Sequence, residues 1–284
     1  MSTEKKLPIT YHEALKRASS FLEKKNESPF VAEWLLRERL NWTKTDLVKH
    51  HRDFIPESQL EQFQMDVNEY LQGRPMQHII GHEWFYHRKF KVTNDTLIPR
   101  PETEEWLDHV LEILPKKNLK ALDIGTGTGI IAITYKLERP VDTVFATDIS
   151  EDALKVAKQN ANRLEAAIHF RQGDLFEAVL DERFDVIISN PPYIAYDELD
   201  VMDQSVKEYE PGLALFAKDD GLAIYKQLAK EIKNYIHPNG YIFLEIGYKQ
   251  GSKVAELFKE VFPKATIEIW QDFNQLDRVV AIFL

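Results

Sequence analysis

The sequence predicts an α/β protein: a seven-stranded, mostly parallel sheet whose last strand is antiparallel, preceded by a small helical domain and a β-hairpin linker. Three observations predict it. From Leu119 onward, short apolar runs alternate with helical stretches, as in a parallel sheet with helices on both faces. From Tyr11 to about Leu71 the apolar residues recur at helical spacing instead. Between these regions, aromatic and polar residues mix over a short stretch that ends in turn residues. The expected domains are residues 1–80 (helical), 81–96 (hairpin linker) and 97–284 (the sheet).

In the first region Leu15, Ala18, Ser19 and Leu22 form one helical stripe, and Ala32, Leu35, Leu36 and Leu40 another. Thr10 and Asn26–Pro29 punctuate these helices, and Pro56 with Glu57 begins a further one. The character changes at Gln72-Gly73-Arg74-Pro75. Trp84, Phe85, Tyr86 and Phe90 fall between His82 and Val92, and Asn94-Asp95 supplies turn chemistry. The expected strands are Leu119–Gly125, Thr143–Ile149, Ile168–Asp174, Phe184–Asn190, Gly240–Gly247, Thr266–Asp272 and Arg278–Leu284. Asp152–Arg163 and Leu222–Ile236 read as helices between them. Only Asn274–Asp277 separates the last two strands, so they are expected to pair as a hairpin.

The first strand of the sheet runs into Asp123-Ile124-Gly125-Thr126-Gly127-Thr128-Gly129 and then a helix. In a doubly wound sheet ligands bind beyond the carboxyl ends of the strands, where this turn lies. Glycines there permit positive φ and close approach to a ligand. A dinucleotide fingerprint requires a small residue at position 130, which is Ile130. The spacing G-x-G-x-G after an Asp instead resembles the S-adenosylmethionine loop, with Asp123 near the methionine ammonium group. Asp148 follows Gly129 by 19 residues and ends the second strand, where a carboxylate accepts from ribose hydroxyls. It reads equally as a helix cap, since Ser150 and Glu151 follow. Asp174, ending the third strand, reads as a partner of the adenine amino group or as a turn acid.

The chemistry falls on Asn190-Pro191-Pro192-Tyr193, directly after the apolar strand that begins at Phe184. Prolines stiffen this corner, hold Asn190 extended and contribute no N–H. The Asn190 side-chain oxygen and the Pro191 carbonyl can each accept one N–H of a substrate NH₂ group. An amide nitrogen is a weak nucleophile because its lone pair is delocalised. Two acceptors would orient it and stabilise the positive charge that develops during methyl transfer. Tyr193 is expected to pack on the planar group. The corner suits any planar NH₂, whether an amide or adenine.

Composition narrows the classes. The chain has 284 residues and no cysteine, which excludes disulfides, thiolate metal sites and cysteine nucleophiles. A net charge of −10 argues against tight non-specific DNA binding, and no direct nucleic-acid partner is expected. Residues 1–80 are neutral, with 12 Lys/Arg against 12 Asp/Glu, so the rest of the chain carries the acidic excess. His50, His51, His78, His82 and His87 lack metal-ligand spacing, so no metal is expected. No apolar stretch suggests a signal peptide or a membrane span, so a cytoplasmic monomer without membrane contact is expected.

Over nearly its whole length the sequence resembles the release factor glutamine methyltransferase family. Four segments carry the resemblance: Leu97-Ile98-Pro99-Arg100-Pro101-Glu102-Thr103-Glu104, Asp123–Gly129, Asn190–Tyr193 and Tyr209-Glu210-Pro211. The resemblance implies a Rossmann-like methyltransferase sheet, S-adenosylmethionine as cofactor, and N5-methylation of the glutamine in the Gly-Gly-Gln tip of peptide chain release factors. It implies that the helical domain engages the release factor. Gly125, Thr126, Gly127, Thr128, Gly129, Asp148 and Asn190 would contact the cofactor, and Asn190, Pro191, Pro192 and Tyr193 the glutamine. Arg100 and Glu102 would join the substrate side. Leu175 stands where the family often has an aromatic beside the adenine. Asp272–Arg278 lacks the family's usual glycine, so that turn is expected to differ. Pro101 and the acids after it also read as ordinary helix-start chemistry. Two other readings remain: an adenine N6 nucleic-acid methyltransferase, and a non-catalytic binding module of the same fold.

Overall fold

Thr10 and Glu13 begin the first helix with a reciprocal cap, in which each side chain accepts the other residue's backbone N–H. The computed structural model describes residues 8–284. Helix α1 (Tyr11–Glu23) is followed by α2 (Phe30–Leu40), α3 (Lys44–His50), α4 (Glu57–Leu71) and α5 (Met76–Ile80). Asn26, in the expected break, takes a left-handed φ of 62°. Thr43 and Asp46 repeat the reciprocal cap at α3. The apolar stripes meet in a core that includes Leu22, Leu35, Phe63 and Val67. Beside it, Arg39 forks onto the buried Asp66 carboxylate at 2.7 and 2.9 Å. The chain divides into two compact units between Gly81 and His82.

The second unit opens with a hairpin, β1 (His82–Phe85) and β2 (Arg88–Lys91). Its two-residue turn is Tyr86-His87, both at positive φ (49° and 59°), the geometry that matches strand twist. Asn94-Asp95 form a separate turn after the hairpin. Phe85 and Phe90 are buried in the second unit's core, and the Asn160 side chain exchanges two hydrogen bonds with the Lys91 backbone. The segment expected as a linker is therefore packed into this unit.

Helix α6 (Pro101–Ile113) starts with Pro101 in its first turn, where a missing N–H costs nothing. Then follow β3 (Lys120–Ile124), α7 (Ile130–Glu138), β4 (Thr143–Asp148), α8 (Glu151–Arg163), β5 (His169–Gln172) and β6 (Phe184–Ser189). Short helices α9 (Gln204–Tyr209) and α10 (Gly212–Leu215) precede α11 (Ala223–Glu231), β7 (Ile236–Glu245), α12 (Gly251–Val261), β8 (Thr266–Gln271) and β9 (Asp277–Phe283). The seven-stranded sheet has the order β5-β4-β3-β6-β7-β9-β8. Strand β9 runs antiparallel between β7 and β8, so the expected terminal hairpin and antiparallel last strand are both present.

Strand β7 begins at Ile236, earlier than the expected Gly240, and the helix before it ends correspondingly early. The cause is a bulge. Ile236 pairs with Phe184, but Tyr241 is already opposite Val186, so residues 237–240, with Pro238 and Gly240, loop out of register. One apolar layer of the unit contains Trp106, Ile131, Val186 and Phe243; the other contains Leu122, Ile187, Tyr225 and Phe258. Among the described residues no helix is long and apolar enough to cross a membrane.

Candidate active site

The chain order crosses over between β3 and β6. Strand β4 lies on one side of β3 and β6 on the other, so a crevice opens at their carboxyl ends. A cavity of about 360 Å³ occupies that place. Its wall includes Arg100 and Thr103, the loop residues Gly125, Thr126, Gly127 and Thr128, then Asp148, Asp174 and Leu175, and Asn190, Pro191 and Pro192. Residues from five separate stretches of sequence thus converge on one space.

The glycine loop is held by its own neighbourhood. Gly125 and Thr126 donate backbone N–H groups to the Thr147 carbonyl at 2.9 Å each, and Gly127 donates to Asp148 Oδ2 at 2.9 Å. The other Asp148 oxygen accepts from the Ser150 N–H. Burial raises the Asp148 pKa against these bonds. Gly129 sits outside the cavity wall and caps α7 at φ 84°. A Cβ there would lie 2.8 Å from Ile133 and 3.2 Å from Ala157, so the third glycine serves helix packing.

Asp123 is also behind the wall rather than on it. One oxygen accepts from the Thr126 hydroxyl at 2.6 Å and the Ala132 N–H at 3.2 Å, clamping both ends of the loop. Its other oxygen is buried and has no partner among the described residues. Burial pushes the carboxyl up to about 7, and the charge of Asp148 adds to the effect. A buried acceptor with an unused oxygen is poised for a cationic or donor group.

Across the cavity, the corner after β6 is fixed at both ends. The Ser189 hydroxyl donates to the Ile124 carbonyl at 2.8 Å, and Ile194 exchanges backbone bonds with Leu215 and Ala217. Among the described residues no hydrogen bond engages the Asn190 side chain or the Pro191 carbonyl. Both residues line the cavity, so two oxygens without internal partners belong to its wall residues.

Besides Asp123 and Gly129, two more expected site residues lie off the wall. Tyr193, expected on the planar group, is absent from the cavity wall. Its hydroxyl lies 3.5 Å from Glu245 Oε1, and its ring packs partly buried against the core. Glu102 is also absent from the wall, although Arg100 and Thr103 on either side of it line the cavity. As a residue of the first turn of α6 it carries one of the acids that suit a helix start.

Two buried carboxylates that no spacing rule marks complete the site. Glu210 accepts from Arg100 Nη2 at 2.6 Å and from the Ile98 N–H at 3.0 Å. This joins the Leu97–Glu104 and Tyr209–Pro211 segments at the cavity. Glu245, the last residue of β7, accepts from Thr103 Oγ1 at 2.7 Å and Trp106 Nε1 at 2.8 Å. The only sequence signal for Glu245 is a charge closing the apolar run Ile242-Phe243-Leu244.

The fold is that of a methyltransferase. The family model described as "Methyltransferase small domain" matches residues 107–209, and "PrmC N-terminal domain" matches residues 13–81. A methyltransferase structure from Pyrococcus furiosus superposes with a TM-score of 0.54 at 18% identity, covering 70% of this chain and 89% of that one. Curated relatives are nearer. Release factor glutamine methyltransferases from Enterococcus faecalis and Staphylococcus aureus are 43% and 37% identical. They cover 95% and 96% of this chain and 97% and 99% of their own lengths. The one from Bacillus subtilis is 39% identical over 97% of this chain and 98% of its own length. The chain belongs to the release factor glutamine methyltransferase family.

Proposed function

We propose that this protein transfers a methyl group from S-adenosylmethionine to the side-chain amide nitrogen of the glutamine in the Gly-Gly-Gln motif of peptide chain release factors. The observation that carries the proposal is the pair of oxygens on Asn190 and Pro191, rigidly held on the cavity wall and without internal partners. Family membership supports the substrate, since the relatives are named for it.

The cavity's chemistry fits the cofactor. Asp148 and Asp174 offer carboxylates on the wall for hydroxyl and amino groups, while Ile124, Ile149 and Leu175 offer apolar contact. The unused oxygen of Asp123 adds an acceptor behind the glycine loop. When bound, the cofactor supplies a sulfonium methyl, an electrophile that needs no further activation.

The chain's own work is then positioning and electrostatics. Asn190 Oδ1 and the Pro191 carbonyl each accept one N–H of the glutamine amide, turning the nitrogen toward the methyl. As the nitrogen takes the methyl and the methyl–sulfur bond breaks to leave a neutral thioether, the nitrogen would gain positive charge and both hydrogen bonds would strengthen, so the grip favours the transition state over the ground state. The nitrogen's extra proton would then pass to water. The prolines keep the corner from relaxing around the substrate. The first unit, matched to the N-terminal domain of the same family, engages the release factor.

The test is incubation of the full chain with labelled S-adenosylmethionine and, separately, release factor or DNA, followed by mass-spectrometric location of the methyl. Label on the Gly-Gly-Gln glutamine is expected. Label on adenine with none on release factor would overturn the proposal.

A further inference from the structure

Glu245 is 2% exposed, at the carboxyl end of the interior strand β7. The pair Ser189↔Leu244 places it one residue beyond the row where β6 gives way to Asn190. A carboxylate there carries a large desolvation penalty and is retained only where donors converge on it. Helix α6 and Tyr193 supply them. Oxygen Oε2 takes both donors from α6, Thr103 and Trp106. Oxygen Oε1 faces the Tyr193 hydroxyl at 3.5 Å. From the terminal hairpin, the positive charge of Arg278 bears on both Tyr193 and Glu245, and Arg278 is itself fixed by Asp272 at 2.8 Å.

Tyr193 is thereby held at two points. Its carbonyl accepts from Gln250 Nε2 at 2.9 Å, and Gly221 packs so closely that a Cβ would meet that carbonyl at 2.0 Å. Its hydroxyl faces Glu245 Oε1, within the field of the Arg278 charge. The residue that follows Pro192 therefore cannot swing, and neither can the corner it closes. The 3.5 Å separation to Oε1 is the loosest contact of the set. Such bonds are commonly long before substrate arrives and shorten in the reacting complex.

We infer that Glu245 is a positioning residue for methyl transfer, acting through the Tyr193 hydroxyl to keep the Asn190 and Pro191 oxygens aimed at the substrate amide. The inference rests on the proposed reaction. It assigns Tyr193 a supporting role beneath the corner in place of direct contact with the substrate.

The test compares wild-type full-length protein with Tyr193→Phe, Glu245→Gln and the double variant. Each is measured for kcat and KM on release factor, S-adenosylmethionine Kd, and Tm. Each single variant is expected to lower kcat by about tenfold or more, the scale of one hydrogen bond to a charged group. Cofactor Kd should stay within about twofold of wild type, because a positioning role at the corner does not touch cofactor affinity. The double variant should be no more than about twofold slower than the slower single, since both changes break one chain of contacts. Multiplying effects in the double variant would overturn the inference, as would a Tyr193→Phe enzyme with wild-type kcat. Tyr193→Phe removes a single oxygen and decides the matter even if Glu245→Gln fails to fold. Absence of methyl on glutamine in the wild-type reaction would instead strike the substrate assignment.

Discussion

The two walls of the cavity are built in different ways. On the loop wall, Asp123, Thr126, Gly127, Asp148 and Ser150 hold one another across at most 21 residues of sequence, largely through backbone N–H groups. On the corner wall, the ties run from Arg100 to Glu210 and from Thr103 to Glu245, across 110 and 142 residues. These two are buried side-chain carboxylates with their donors, added to the Ser189 and Ile194 bonds at the corner itself. A loop of glycines and short-range bonds can form wherever its strand and helix form. The corner is correct only when the whole sheet and α6 have assembled around it. On the proposed reaction the first wall binds and the second aims, and aiming tolerates less error.

This contrast can be broken by mutation, and the largest effect is expected at the corner. Asn190→Ala should lower kcat by about a hundredfold or more, the scale of removing one transition-state hydrogen-bonding group, with little change in cofactor Kd. Steady-state kinetics beside calorimetry would measure both. Glu210→Ala should reduce unfolding free energy by about 2 kcal/mol, read from urea denaturation. A broken buried pair costs more, but the Arg100 side chain is 34% exposed and water regains part of it. On the loop wall, Asp148→Ala should weaken S-adenosylmethionine by about tenfold while release-factor KM stays near wild type. Equal losses in both constants would remove the distinction between the walls.

The smallest effect concerns the turn that steadies Arg278. The Arg278 guanidinium, with the Leu276 and Asn274 N–H groups, holds the Asp272 carboxyl below its ordinary value of 3.8. A depressed carboxylate contributes stability that is complete above the unfolded pKa and is lost as pH falls through the lower folded value. Asp272→Asn should therefore cost about 1 kcal/mol near neutrality, with the difference from wild type closing below about pH 4. A difference that persists into acid would show that the loss is one of shape and not of charge.

The same contrast governs how much could be read from the sequence. The strands, the glycine loop and the Asn190-Pro191-Pro192 corner were legible because each is specified by its own neighbours: apolar runs, glycine spacing, consecutive prolines. The start of β7 was not, because Pro238 and Gly240 look like the end of a turn while the register resumes around them. The hairpin turn at Tyr86-His87 carries neither Gly nor Asn, so nothing local announced its positive φ. Tyr193 reads as part of the substrate corner because it continues the Asn190-Pro191-Pro192 run. Its actual direction is decided by Glu245, 52 residues on, and by the terminal hairpin. Glu210 and Glu245 follow the same logic, since their meaning lies in donors from another part of the chain.

The central claim is that Asn190 and Pro191 grip the amide, and a crystal structure with a glutamine-bearing release-factor peptide and demethylated cofactor tests it most directly. The expected result places the glutamine side-chain nitrogen about 3 Å from both Asn190 Oδ1 and the Pro191 carbonyl oxygen, facing the cofactor sulfur. A glutamine nitrogen bound in the cavity by other groups, with these two oxygens turned away, would contradict it.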